Sequence, residues 1–309
     1  MPDFSQRPVP LTHTDLAGSI AVVTGGGDGI GRALTIRLAE LGCHVAACDI
    51  NDERLAATKE LADAAAPDDT RVTTHHCDVA NEPDMLAFRD AVVAEHETNH
   101  VDLVFLNAGV AGGGSMFTDS RDAWDLTFGV CWFGVYFGTR AFLPLLVESE
   151  KGHLINTSSV NGFHASLGPE RPHTSYSAAK FAVKGFSEAL VTDLRANAPH
   201  VGVSVVMPGH IGTGIAENTV TTHADPETAK HFEEMSKTFR EAALTTAEEA
   251  AEIMIDGAMA RQWRILVGPD AHLLDEAVRA NPAEAYEPEF DVPLSEARKE
   301  LHAAKAASR

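Results

Sequence analysis

The chain has 309 residues, 44% of them hydrophobic and 22% charged, enough for a substantial core in one large domain or two small ones. Lys and Arg number 24 against 45 Asp and Glu, a net charge of −21. Such a surface repels phosphate backbones and anionic headgroups, which argues against nucleic-acid and membrane partners. The four cysteines (Cys43, Cys48, Cys77, Cys131) form no C-x-x-C pair. They read as free thiols in a reducing compartment, so a cytoplasmic location is expected. The first 18 residues hold Asp3, Arg7, Asp15 and three prolines but no apolar core, so no secretory signal is expected there.

In chain order, residues 1–15 read as a loose N-terminal arm. Ser19–Thr24 is an apolar run that predicts a buried strand, and Gly29–Gly42 the helix after it. His44–Asp49 predicts a second strand, followed by a helix over Glu53–Ala65. Arg71–His76 is a third, with a helix from about Pro83 to Glu95. Val101–Leu106 is a fourth, leading to a long helix around Trp124–Leu146. His153–Ser158 is a fifth, followed by a helix over Ser175–Asn197, and Val201–Val206 is a sixth. Arg264–Gly268 is a short seventh. The helix before it is capped by Thr245 or Thr246, since Glu248 and Glu249 complete either capping box.

Nearly all-apolar strands separated by helices predict an α/β fold: one doubly wound Rossmann-type domain with a seven-stranded parallel sheet, spanning 16–270. Residues 271–309 form a C-terminal extension ending in a polar helix from Ser295. The most apolar stretch, Gly129–Val147, is broken by Arg140 and Pro144. It suits a core or an oligomer interface better than a membrane span.

The first strand runs into Thr24-Gly25-Gly26-Gly27-Asp28-Gly29-Ile30-Gly31 and then into a helix. Glycines there allow a tight turn and let the backbone approach a pyrophosphate on the positive helix end. A glycine pattern alone is weak, but this one sits in the strand–turn–helix context that the chemistry requires. Asp49 ends the second strand, 18 residues past Gly31. It is placed to accept hydrogen bonds from adenosine ribose hydroxyls and to repel a 2′-phosphate, which favours NAD.

Tyr176-Ser177-Ala178-Ala179-Lys180 puts Tyr and Lys on one helix face at i, i+4. A nearby ammonium favours the phenolate and brings a phenol toward useful general-base range. Ser159, at the end of the fifth strand, is placed to hydrogen-bond a substrate oxygen where charge develops. Y-x-x-x-K alone is common on solvated helix faces. Its weight comes from following a glycine turn, a fourth-strand Asn and a strand-end Ser in this order.

Over about residues 16–268 the chain resembles the short-chain dehydrogenase/reductase family. Thr24–Gly31 resembles its T-G-x-x-x-G-x-G turn, Asp78-Val79 its adenine-contacting pair, and Asn107-Ala108-Gly109 its N-A-G motif. Ser159, Tyr176 and Lys180 match its catalytic Ser, Tyr and Lys. Pro208-Gly209-His210-Ile211-Gly212-Thr213 resembles its P-G segment, whose Thr contacts the carboxamide. The resemblance implies that Tyr176 is the general acid/base, that Lys180 lowers its pKa and holds the nicotinamide ribose, and that Ser159 positions the carbonyl. The cofactor-binding set it implies is Thr24, Gly25, Gly29, Ile30, Gly31, Asp49, Asp78, Val79, Asn107, Ala108, Gly109, Tyr176, Lys180, Pro208, Gly209, Ile211 and Thr213. A homodimer or homotetramer is expected.

One position departs from the family. Cys131, in Val130-Cys131-Trp132-Phe133-Gly134, stands where an Asn commonly holds a water that links the Lys to bulk solvent. A thiol is a much weaker donor and acceptor. His96-Glu97-Thr98-Asn99-His100 spells H-E-x-x-H, but it bridges a helix end and a strand on the edge opposite the cofactor, so no metal site is expected. His75 and His76 fall on opposite strand faces.

The expected activity is NAD-dependent interconversion of a secondary alcohol and a ketone. A 3-oxoacyl-thioester ketoreductase and a weakly catalytic dinucleotide sensor are the alternatives. Segments 110–119, 160–175 and 210–245 should wall the pocket, the last as a helical lid. Met116, Phe117, Phe163, Leu167, Phe232, Met235 and Phe239 within them point to a bulky, apolar substrate.

Overall fold

The computed structural model describes residues 8–112, 114–167, 172–215, 237, 238 and 240–307. Its main sheet has seven parallel strands in the order β3-β2-β1-β4-β5-β6-β9. These are β1 Ile20–Thr24, β2 His44–Asp49, β3 Val72–His76, β4 Leu103–Leu106, β5 His153–Thr157, β6 Gly202–Pro208 and β9 Arg264–Val267. The seven-stranded parallel sheet expected from the sequence is therefore present. Strands β1, β4, β5 and β6 are buried along their whole length, which is why they carry no charged residue and β1 and β4 are almost wholly apolar.

Helices cover both faces. On one, α1 (Gly29–Glu40) and α7 (Ala247–Met259) bury Leu34, Leu38, Met254 and Ile255 against β1, β4 and β9 residues. On the other, α3 (Glu82–Glu95), α5 (Gly134–Val147) and α6 (Thr174–Asn197) bury Met85, Phe88, Phe142, Leu146 and Leu190. Each such side chain contributes roughly 1.5–3 kcal/mol when fully buried. Helix α2 (Asp52–Ala65) follows β2, with the Asn51 side chain accepting from the Arg54 N–H as its N-cap. Helix α7 has the capping box expected of it, closed by Thr246 and Glu249. Sequence order reverses between β1 and β4, the switch point beyond whose carboxyl ends ligands bind in such sheets.

The structure differs from the sequence expectation in four places. The long helix is α4 (Arg121–Phe128) and α5 joined by a π turn over Gly129–Phe133. The 27-residue span 121–147 is apolar and long enough to cross a membrane by composition. Yet Val135, Ala141, Phe142 and Leu146 lie buried in the core, as read from the sequence, and Leu126 and Phe133 face outward. The end placed at residue 270 falls within a helix, α8 (Pro269–Ala280), whose Ala271 and Leu274 are buried. The last helix, α9, begins at Asp291 rather than Ser295. Finally, the described part of the arm is tied down: the Leu11 N–H donates to Met259 O at 2.8 Å, and Arg261 Nε to Val9 O at 3.2 Å.

Beyond β6, the two-residue strands β7 (Ile211–Gly212) and β8 (Thr245–Thr246) pair in parallel and close the base of the expected lid. Phe232, Met235 and Phe239 lie outside the described residues, as do Gly113 and Pro169-Glu170-Arg171.

Candidate active site

The glycine turn is built by close backbone approaches. Gly25 has φ +72°, a region that side chains other than glycine rarely adopt. A Cβ on Gly31 would lie 2.0 Å from Gly25 O, so only glycine lets the first turn of α1 settle on the end of β1. The N-cap residue Asp28 accepts no hydrogen bond from that turn and pairs instead with Arg54 at 3.5 Å. The leading N–H groups of α1 are thus left uncapped by it, the arrangement that suits an anion. Thr24 Oγ1 accepts from the Asn107 and Ala108 N–H groups at 3.0 and 3.1 Å, locking the N-A-G segment to the turn.

Asp49 sits directly against this turn. Its Oδ2 accepts from the Gly27 N–H at 2.9 Å and its Oδ1 from the Asn51 N–H at 3.0 Å. Asp78 Oδ1 accepts from the Ala80 N–H, and Val79 turns its side chain into the core under Gly134. Ile211 is likewise buried in the core, and Ile30 packs against it. The Pro208–Thr213 segment is held by a residue that sequence reasoning missed: Asp270, buried in the first turn of α8, accepts the His210 N–H at 2.7 Å. No local signal near Pro208 announces a partner 60 residues away.

Ser159, Tyr176 and Lys180 come together, at 6%, 8% and 2% exposure. Their geometry is set where α6 crosses the short 3-10 turn Val160–Gly162 that follows β5. A Cβ on Gly162 would meet Ser158 Oγ at 2.2 Å and Lys180 O at 2.8 Å, so glycine permits the close crossing. Lys180 Nζ donates to Thr157 O at 2.9 Å and lies 5.5 Å from the Tyr176 ring centre. His173 stacks on the other aromatic partner, its ring 4.6 Å from that of Tyr176 at 14°.

Burial dominates the electrostatics. It pushes the Tyr176 phenol up, with Cys131 adding to the rise and a hydrogen bond from Ser159 opposing it. It pulls the Lys180 ammonium down, Cys131 opposing. The pressure on Tyr176 therefore runs opposite to the sequence expectation, because desolvation outweighs the Ser159 hydrogen bond. His173 is pulled down to about 4 by burial and stays neutral.

Cys131 lies in the π turn, fully buried, and its Sγ donates to Val110 O at 3.3 Å. A Cβ on Gly109 would lie 3.6 Å from Lys180 Nζ and 3.7 Å from Cys131 Sγ, so the three positions adjoin. All four cysteines are buried and unpaired.

The H-E-x-x-H residues do not share a helix face: His96 caps the end of α3 with its ring bonded to Thr73, and His100 follows in the loop. Among the described residues the one His/acid cluster of metal-binding size is His13, Glu252 and Asp256, at the surface beside α7. His75 packs on Phe88 while His76 faces solvent beside Asp52.

On the substrate side, the first residues of α6 are bonded to Gly112 and Gly114. The Thr174 N–H and hydroxyl both donate to Gly114 O, and Ser175 Oγ to Gly112 O. Met116 and Phe117 are strongly exposed there, and Leu167 about half exposed.

Residues 19–224 match the family model described as short chain dehydrogenase. The chain is 39% identical over 266 residues to the putative oxidoreductase SadH of Mycobacterium tuberculosis, covering 85% of this chain and 90% of that one. It is 30% identical over 208 residues to mouse (Mus musculus) epidermal retinol dehydrogenase 2, covering 67% and 65%. Among solved structures, a short chain dehydrogenase/reductase from Burkholderia phymatum in complex with NAD superposes with a TM-score of 0.73 at 28% identity, covering 91% and 96%. A metagenomic short-chain oxidoreductase in complex with NADP gives 0.61 at 27%, covering 81% and 97%. The motifs, the sheet and these likenesses agree: the chain belongs to the short-chain dehydrogenase/reductase family of oxidoreductases.

Proposed function

We propose that the chain is an NAD-dependent oxidoreductase that interconverts a secondary alcohol and a ketone, acting on a bulky apolar substrate. The convergence of buried Ser159, Tyr176 and Lys180 beyond the carboxyl end of β5 carries this reading. The cleft also fits a dinucleotide, since the uncapped start of α1 and the turn held open by Gly25 and Gly31 form a pyrophosphate cradle. Thr24–Gly31 would hold the pyrophosphate, Asp49 the adenosine ribose, Asp78 and Val79 the adenine, and Asn107–Gly109 the cleft floor. Tyr176 and Lys180 would hold the nicotinamide ribose and Pro208–Thr213 the carboxamide. Bound NAD supplies the acceptor and donor of the hydride.

The residues of the chain handle the proton. Ser159 donates a hydrogen bond to the substrate oxygen and stabilises the charge that grows there. Tyr176 gives its phenolic proton to that oxygen in ketone reduction and takes it back in alcohol oxidation. Because burial favours the protonated phenol, reduction is served at neutral pH, while oxidation should quicken as pH rises. Lys180, fixed on Thr157 O, favours the phenolate once it forms.

NAD is favoured over NADP because the Asp49 carboxylate is fixed on two backbone N–H groups where a 2′-phosphate would lie. The two guanidinium groups beside this turn are already engaged, Arg32 on Gly27 O at 2.7 Å and Arg54 with Asp28 at 3.5 Å. Apolar bulk is favoured by the exposed Met116, Phe117 and Leu167 and by the likeness to a protein named for retinol, a bulky apolar alcohol. We place the enzyme in the cytoplasm as a homo-oligomer, with the outward apolar residues Leu126 and Phe133 suited to a subunit contact.

The test is a panel of secondary alcohols of increasing apolar bulk, assayed for NADH and NADPH formation. NADH formation with kcat/KM rising with bulk is expected. Highest kcat/KM for short polar alcohols, or equal use of the two cofactors, would overturn the corresponding part of the reading.

A further inference from the structure

The hydrogen bonds behind Ser159 lead out of the cleft and into the C-terminal segment. Ser159 Oγ accepts from the Asn161 N–H at 3.1 Å, and Asn161 Nδ2 donates to His164 O at 3.3 Å. His164 Nε2 then meets Ala285 O at 2.8 Å. A carbonyl only accepts, so Nε2 is the donor in this bond. The His164 ring stacks on Tyr286, with centres 5.3 Å apart at 13°, and tilts against Phe290 at 5.5 Å. The Ala165 N–H donates to the Tyr286 hydroxyl at 3.1 Å. Ser159, Asn161, His164 and Ala285 are all buried, so no solvent competes for these bonds.

The turn that carries Ser159 is only three residues long and has little stability of its own. On one side it rests on α6 through Gly162. On the other side it rests on His164, and His164 rests on the tail. The tail is in turn anchored farther along: Leu294 of α9 is buried, and Lys305 Nζ donates to Leu244 O at 2.6 Å, just before β8. A single C-terminal segment thus touches both the Ser159 turn and the returning end of segment 210–245.

We propose that the segment Ala285–Phe290 belongs to the active-site machinery, with His164 and Tyr286 as positioning residues that set the Ser159 turn. The proposal rests on the reading of Ser159 as the group that holds the substrate oxygen. Residues beyond the sheet are then required for turnover, although they contribute no group to the chemistry.

Two conservative variants isolate the links. His164→Phe keeps an aromatic ring in the stack and deletes the bond to Ala285 O. Tyr286→Phe deletes only the hydroxyl at an exposed residue, and serves if His164→Phe does not fold. Against a secondary alcohol with saturating NAD, His164→Phe should lower kcat about tenfold while NAD affinity stays within about twofold. In a Ser159→Ala background the same change should alter kcat by less than about twofold, because groups acting through one another are not additive. Independently of turnover, amide hydrogen exchange in the free protein should quicken about tenfold or more at Asn161 and Ala165 in His164→Phe, and at Ala165 in Tyr286→Phe, with α1 unchanged. Unchanged exchange at these amides, or a full tenfold loss still seen in the Ser159→Ala background, overturns the proposal. If instead Ser159→Ala itself leaves kcat intact while the exchange responds, the reading of Ser159 is what fails.

Discussion

The two halves of the cleft are held by different kinds of contact. On the dinucleotide side, backbone atoms meet backbone atoms or short side chains: Gly31 against Gly25 O, Thr24 Oγ1 under Asn107 and Ala108, Asp49 on the Gly27 N–H. On the substrate side, longer side chains reach remote segments: His164 meets Ala285 and Tyr286, and Lys305 meets Leu244. A backbone contact admits only one or two residue types at a position, whereas a side-chain contact between remote segments can be made in many ways. The first side is therefore constrained in its letters and the second only in its packing.

The sharpest break of this comparison is Tyr176→Phe. It removes the hydroxyl, keeps the ring that stacks on His173, and leaves the glycine turn, Asp49 and Lys180 in place. Turnover should fall by at least about 10²-fold, the scale of general acid/base catalysis, while NAD affinity measured by fluorescence titration is retained. Retention of most activity would remove Tyr176 from its role.

Gly31→Ala is the mirror test on the other side. The new methyl would meet Gly25 O and Asn107 Nδ2, so the turn must move. Overpacking of this kind costs about 1–3 kcal/mol. We expect weaker NAD binding and a lower Tm with the order of substrate preference unchanged. An altered substrate order would mean that the two sides are not separable.

This contrast also explains what the sequence disclosed. The strands β1, β4, β5 and β6 are buried at every position, so their short uncharged runs between helices were legible, and with them the parallel sheet. The close backbone approaches of the glycine turn were legible for the reason just given, and the i, i+4 spacing of Tyr176 and Lys180 put the two side chains together, as the structure has them. The π turn at Cys131 was not legible, because Gly129–Phe133 runs without a break into the apolar helix that follows it. Nor were Asp270 or the His164–Ala285 link, since both join segments 60 or more residues apart. The sign of the pressure on Tyr176 was misjudged because i, i+4 spacing reveals the ammonium but not the depth of burial.

Asp49→Ser sharpens the dinucleotide side without disturbing its backbone. It removes the charge that opposes a 2′-phosphate but keeps a hydroxyl near the Gly27 N–H. The ratio of NAD to NADP affinity should shift toward NADP by about 1–3 kcal/mol, the scale of a charge-assisted contact. Isothermal titration with both cofactors reads it directly, and an unmoved ratio would take Asp49 away from the ribose.

A pH measurement probes the substrate side. His173 is held near 4 by burial, against an ordinary value of 6.5. The unfolded chain therefore binds the extra proton first as pH falls. The stability that neutral His173 gives is fully present above about pH 6.5 and is lost progressively as pH drops toward 4. His173→Phe, which keeps the stack on Tyr176, should lose less stability over that window, by on the order of 1 kcal/mol in urea unfolding. Parallel curves for the two proteins would show that this histidine is not desolvated as described.

The smallest effect is expected at Cys131, where the two sides touch through Lys180 and Gly109. Its thiol is fully buried and its proton is committed to Val110 O, so it holds no evident path for a proton between Lys180 and solvent. A thiol is also a poor donor and acceptor, and replacing it with a slightly smaller hydroxyl keeps a donor for the same carbonyl. Cys131→Ser should therefore leave kcat within about threefold, a difference of less than about 1 kcal/mol, and its pH profile should overlay that of the parent. The alternative outcome is equally readable: a loss of tenfold or more at unchanged Tm, with a displaced pH profile, would place the sulfur itself in the proton traffic of the site. In that case the boundary between the two halves runs through Cys131 rather than between Lys180 and the glycine turn.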